Sequence, residues 1–180
     1  SNVWVFIPYN KEMKKIIFVF LFVLLIYTRF VGLDWGLPYP MHPDERNMAV
    51  AIQELNCNQV KSPKSQVQNC FNPHFFAYGQ FPLYLGYILI QIVHLVTQKL
   101  FIPITFYEAV MSLRFISAIA SILTVLFLIR IVRLLYKELS FLYLIFYILF
   151  FTFQPYFIQF SHFGTTELLL MLFYSLIVYY

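Results

Sequence analysis

Long apolar runs broken by few charges limit what this chain can fold into more than any motif in it does. The runs are Ile16 to Leu33, Phe81 to Val96, Ala109 to Ile129 and Phe141 to Ile158, and Glu167 to Tyr180 opens a fifth. A helix of about 18 residues extends roughly 27 Å, close to the hydrocarbon thickness of a bilayer. Charged residues make up 11% of the chain, against about 25% in a soluble domain, so a polar coat over a globular surface is excluded. Aromatic residues reach 21%, as expected where rings sit at membrane interfaces. The predicted fold class is all-α, a polytopic transmembrane helical bundle. Residues 1–180 read as part of a single domain, with a large first extracytoplasmic loop at 34–108 that carries juxtamembrane helices. Met13-Lys14-Lys15 resembles a start, so Ser1 to Glu12 read as an upstream extension, and the run still open at Tyr180 predicts a C-terminal remainder. The first run lacks a small-x-small cleavage site, which favours a signal anchor over a cleaved peptide.

Charge asymmetry orients the runs. Lys11, Lys14 and Lys15 precede the first run, and Arg130, Arg133 and Lys137 form the second basic cluster. Both clusters fall on the cytoplasmic side if Phe81 to Val96 lies in the interface instead of crossing. Gln91 and His94 in the second half of that run agree with an interfacial helix. Asp44, Glu45, Arg114 and Glu167 then share the non-cytoplasmic face. The basic residues are scattered beside apolar runs, so they read as topology signals and not as nucleic-acid contacts.

The polar segment between the first two runs, Asp34 to Gln80, holds both cysteines, Cys57 and Cys70. They pair if the segment faces an oxidising compartment and stay free thiols otherwise. The segment also holds His42-Pro43-Asp44-Glu45-Arg46. Proline followed by two acids is a helix start, and Met48, Ala49, Ile52 and Leu55 continue an apolar stripe at helical spacing. The acids either complement the helix dipole or supply a general base or metal ligand beside the membrane. Adjacent helical residues point about 100° apart, so Asp44 and Glu45 have different tasks.

Three further features have two readings each. Arg114 either snorkels to headgroups or binds a phosphate with its planar fork. Glu167 follows Thr165-Thr166 and sits either in a capped first turn or in a site at the mouth of an apolar run. His162 is either a polar tip or a proton shuttle. The stretch Asn72 to Tyr84, with His74 and Tyr78, lines a sugar or lipid site or anchors the loop to the interface. The apolar runs lack central charges, which weighs against a transporter.

Several pieces stand in a recognisable order: a first run, then Asp44-Glu45 early in a long loop, then Asn72-Pro73 and Tyr78-Gly79-Gln80-Phe81-Pro82-Leu83-Tyr84, then Leu113-Arg114-Phe115-Ile116-Ser117-Ala118, then Glu167 before the last run. From Lys14 to Tyr180 the chain resembles the N-terminal part of a C-superfamily (GT-C) membrane glycosyltransferase, in the protein O-mannosyltransferase and aminoarabinose transferase branch. The resemblance implies a multi-pass protein of a bacterial or archaeal cytoplasmic membrane with an extracytoplasmic active site. It implies a polyprenyl-phosphate sugar as donor, a hydroxyl acceptor of unknown identity, surrounding membrane lipids, and transfer with inversion. Asp44 matches the catalytic carboxylate of the first loop, and Glu45 its acidic neighbour. Arg114 matches an arginine near the donor phosphate, with His74, Tyr78 and His162 as further substrate-binding candidates. Glu167 matches the acid of the second outer loop, often Asp in relatives, and is the candidate ligand of a divalent metal ion. A flippase or transporter for lipid-linked or polar solutes is the rival class, and a non-catalytic scaffold subunit a third.

Overall fold

A computed structural model of the protein describes residues 10–39, 41–55, 72–73, 75–99 and 102–180. These residues form helices and connecting turns, with no strand among them. Helix α1 spans Lys11–Phe30, α2 Pro43–Glu54, α3 Phe81–Val96, α4 Phe106–Leu135, α5 Phe141–Thr152, α6 Pro155–Ser161 and α7 Glu167–Tyr179. Cys57, Cys70, His74 and residues 1–9 of the proposed extension lie outside the described residues.

Helix α4 is the axis. It has 30 residues, about 45 Å of helix, against about 30 Å of bilayer hydrocarbon. A capping box starts it: the Thr105 hydroxyl accepts from the Glu108 N–H, and the Glu108 carboxylate accepts from the Thr105 N–H. His94 at the end of α3 reaches the same carboxylate at 2.9 Å and ties the two helix ends together. Two buried clusters lie along α4. The first joins its Ala109, Val110 and Leu113 to Met48 and Ile52 of α2 and Leu83 and Ile90 of α3. The second joins its Ile116, Ala120 and Val125 to Leu25, Phe157 and Leu168. Arg114 falls between them.

Pro43 occupies the first turn of α2 with His42 at the N-cap. The stripe read from spacing is fully buried, with Met48, Ala49, Ile52 and Leu55 each 0% exposed. Helix α3 coincides with the second apolar run. It buries Leu83, Gly86, Ile90 and His94 on one side and leaves Phe81, Ile88, Ile92 and Leu95 exposed on the other. A Cβ on Gly86 would stand 2.9 Å from Ile52 Cδ1 and 3.1 Å from Ser112 Oγ, so glycine permits the close approach of α3 to α2 and α4.

The structure alters three sequence expectations. First, α1 runs from Lys11 to Phe30 and not from Ile16 to Leu33. The chain turns at once after it, through Gly32 and Gly36, both at φ +76°, where side-chain-bearing residues are strained. Second, Phe141 to Ile158 is not one straight helix. It breaks into α5 and α6 with a 44° bend. Pro155 supplies no N–H, so the Phe151 carbonyl loses its helical donor. Third, the apolar runs are not free of buried charge. Arg29 is 0% exposed, and its Nη2 meets the orphaned Phe151 carbonyl at 3.3 Å. Its Nε donates to Ser121 Oγ at 2.8 Å and its Nη1 to Thr28 Oγ1 at 2.9 Å. Among the described residues, α4 is the one helix long and apolar enough to cross a membrane alone, and the bent α5–α6 pair passes the same test together.

Gly86→Val forces a side chain against Ile52 and Ser112. It is expected to cost about 1–3 kcal/mol, read as a lower thermal midpoint of the detergent-purified chain. An unchanged midpoint would show that α3 does not pack this closely.

Candidate functional site

The two adjacent acids of α2 meet opposite environments. Glu45 points inward and is 0% exposed. Its Oε1 accepts from Arg114 Nε at 2.6 Å and its Oε2 from Nη2 at 2.8 Å, a bidentate pair. Oε1 also accepts the Gly164 N–H at 2.7 Å. Arg114 is 1% exposed, and its Nη1 donates to the Leu33 and Trp35 carbonyls, each at 2.8 Å. Those carbonyls belong to the turn that follows α1. The pair therefore joins α2, α4, the turn after α1 and the loop before α7. A Cβ on Gly164 would lie 2.5 Å from Leu113 Cβ and 3.2 Å from Glu45 Oε1, so the loop reaches Glu45 only because this residue is glycine.

This geometry corrects both readings of Arg114. The guanidinium neither snorkels to headgroups nor presents its fork to an outside phosphate, because four of its donor contacts go to protein acceptors. Glu45 is engaged in the same pair and turns away from Asp44.

Asp44, about 100° round the helix, keeps 30% of its side chain exposed. The Tyr78 hydroxyl donates to it. Tyr78 reaches this place from the aromatic loop before α3, and it is 44% exposed. That hydrogen bond, then burial of the hydroxyl, then the negative charges of Asp44 and Glu167 hold the phenol above its ordinary 10.0. Tyr78 thus senses both carboxylates. His42 Nδ1 stands 3.9 Å from Asp44 Oδ2, and the imidazole packs on Phe163 with ring centroids 5.1 Å apart.

Glu167 opens α7. Thr166 occupies the N-cap but makes no side-chain cap bond, so the capping expectation does not hold. Glu167 Oε2, Thr165 Oγ1 and His42 Nδ1 are buried atoms without a hydrogen-bond partner. Buried polar atoms are normally paired, and these three lie on two segments, the start of α2 and the loop into α7. Three segments far apart in sequence meet here: Asp44 of α2, Tyr78 of the loop and Glu167 of α7.

His162 sits apart from these. Its Nε2 lies 2.9 Å from the Val31 carbonyl and its Nδ1 2.8 Å from the Ile158 carbonyl. It bridges the ends of α1 and α6 and holds no open position for a ligand. Sequence reading passed over Arg29 and Gly164 and took Thr165 only as a candidate cap. A proline inside an apolar run was the available signal for the break that Arg29 occupies, and nothing local marked Gly164.

Helices α3, α4 and α7 border an apolar groove of about 410 Å3. Phe81, Leu85 and Ile88 form one side, Phe115 and Ile119 another, and Leu169 and Phe173 the third. Phe81 and Leu169 stand within one helical turn of Tyr78 and Glu167 in sequence. No protein family, no curated protein and no solved structure matches the chain.

Glu45→Gln leaves a buried guanidinium without its counter-charge. A loss of about 3–5 kcal/mol is expected, with Asp44→Asn close to wild type in the same chemical denaturation series. Equal losses would contradict the division of labour between the two acids. The Tyr78 phenol, followed by site-specific carbon-13 labelling, is expected to titrate above free tyrosine. Asp44→Asn should lower that midpoint, and no movement would remove the Asp44–Tyr78 hydrogen bond from the account.

Proposed function

We propose that the protein is a polytopic membrane glycosyltransferase of the C-superfamily type. It moves a sugar from a polyprenyl-phosphate donor to a hydroxyl acceptor on the extracytoplasmic face, with Asp44 as general base. The observation that carries this reading is the convergence of Asp44, Tyr78 and Glu167, together with an apolar groove whose lining begins at Phe81 and Leu169, a few residues along the chain from Tyr78 and Glu167. An amphiphilic substrate needs both parts: a chain-length apolar channel and a polar end where the reacting group rests.

Asp44 has the properties of a base. It is partly exposed, and the Tyr78 donor holds one of its oxygens in place. The attacking hydroxyl gives its proton to the carboxylate as the oxygen bonds to the anomeric carbon, and the lipid phosphate departs with the electron pair. The charge that develops on that phosphate calls for a cation. Arg114, the sequence candidate, is engaged with Glu45. Asp44 and Glu167 would instead hold a divalent ion, and the unpartnered Glu167 Oε2 fits such a ligand. Two carboxylates plus a substrate phosphate suit magnesium, which rarely takes an all-protein cage. The ion would offset negative charge on the leaving phosphate.

A transporter for polar solutes remains the second reading, favoured by one observation. The bent α5–α6 break has its Phe151 carbonyl met by the buried Arg29 of α1, and interrupted helices beside a buried charge are typical of transporter sites.

Sugar release from polyprenyl-phosphate sugars by the purified chain separates the two. Asp44→Asn is expected to lower turnover about 10²–10⁴-fold with an unchanged thermal midpoint. Full turnover in that variant would remove Asp44 as base. Solute counterflow in vesicles that requires Arg29, with no sugar release from the wild type, would favour the transporter.

A further inference from the structure

Arg29 is a fully buried cation whose partners are all neutral: Ser121 Oγ, Thr28 Oγ1 and the Phe151 carbonyl. Arg114, equally buried, has a carboxylate. A buried charge without a counter-charge is costly, and no carboxylate among the described residues pairs with Arg29. The residue is therefore more than a clip for the α5–α6 break, which a neutral donor would hold as well.

A groove of about 510 Å3 lies against it. Tyr27, Thr28, Trp35, Phe153, Gln159 and His162 contribute to its walls. Thr28 is both a wall of the groove and the acceptor of Arg29 Nη1, so the positive charge stands one hydrogen bond behind the wall. In so apolar a setting a charge acts strongly over that distance. Tyr27, in the last turn of α1, and Trp35, in the turn after it, are exposed aromatics, the residue types that mark the headgroup level of a bilayer. Below them the walls are apolar.

We propose that this groove binds an anionic phospholipid of the surrounding bilayer. The negative headgroup rests by Thr28, Gln159 and Trp35 and offsets the charge of Arg29, while an acyl chain follows Val31 and Ile158. The lipid seats against both sides of the α5–α6 break, whose two flanking carbonyls are joined through Arg29 and Ser121: Arg29 holds that of Phe151, and Ser121 Oγ donates to that of Phe157 at 3.3 Å. A bound lipid would thereby steady the segment that leads to Glu167. The proposal rests on the membrane reading above but not on the glycosyl-transfer chemistry, since the groove shares none of Asp44, Tyr78 and Glu167.

Trp35 is a built-in reporter once Trp4→Phe has removed the other tryptophan. The full chain is placed in phosphatidylcholine vesicles that contain either brominated phosphatidylglycerol or brominated phosphatidylcholine at equal mole fraction. Trp35 quenching is expected to show roughly fivefold preference for the anionic lipid, the effect of about one basic charge at a membrane surface. Arg29→Lys should keep the preference, and Arg29→Gln should abolish it. Should Arg29→Gln fail to fold, Thr28→Leu, which fills the groove beside the charge, is expected to abolish it instead. Equal quenching by both lipids in the wild type would overturn the proposal and leave the membrane reading intact. Quenching by neither would overturn both. A preference that survives Arg29→Gln, or Thr28→Leu where that is the variant read, would also overturn the proposal.

Discussion

The buried pair of Glu45 and Arg114 is the interaction on which the rest of the structure depends. Arg114 lies on α4 between two apolar clusters, one above it with α2 and α3, the other below it with α1, α6 and α7. Each cluster alone specifies a local packing. The pair sets how the two stack, because its hydrogen bonds reach α2, the turn after α1 and the loop before α7 at one point. Desolvating two charges costs several kcal/mol per ion, so an apolar joint could be as stable. A bidentate pair specifies geometry as well as proximity, and the geometry it specifies is the position of Asp44. Fixing Glu45 inward turns the preceding residue of α2, Asp44, toward the Tyr78 loop and Glu167.

Much of α2 was legible in the sequence. Proline before two acids marks a helix start by its own chemistry, and the spacing of Met48, Ile52 and Leu55 marks the buried face. That Asp44 and Glu45 differ in task followed from helical geometry. Which acid had which task did not follow, since Glu45 and Arg114 are distant in the chain and no local pattern reports a pairing across that distance. The resemblance to membrane glycosyltransferases assigned Arg114 to a phosphate, whereas the structure turns it inward on Glu45. The α5–α6 break was legible and passed over: Pro155 stands inside an apolar run. The burial of Arg29 was not legible, because its partners are hydroxyls and a carbonyl, which leave no charge pattern. Charge parity put Glu167 and Asp44 on one face, and the structure brings both within electrostatic reach of Tyr78; Thr166 makes no cap, and the buried, unpartnered Oε2 appears only in three dimensions.

The two arginines show one physical constraint met in two ways. Arg114 is neutralised within the chain and becomes a joint. Arg29 is not, and the groove beside Thr28 is where the proposed lipid would supply the missing negative charge. The apolar groove lined by Phe81 and Leu169 follows the same logic in the proposed function with the signs exchanged, the carboxylates of Asp44 and Glu167 taking the place of the arginine. Under the proposed function the protein meets the lipid phase at two separate grooves, one for substrate and one for a resident lipid.

The most direct test of the Glu45–Arg114 joint replaces both partners together. Glu45→Met with Arg114→Met removes both charges and leaves shapes that can pack. Stability of the double variant in denaturant should exceed that of either single variant, and sugar release should persist, because Asp44 keeps its place. A double variant that folds as well as the wild type yet releases no sugar would contradict the account, since it would place the pair in the chemistry and not in the frame.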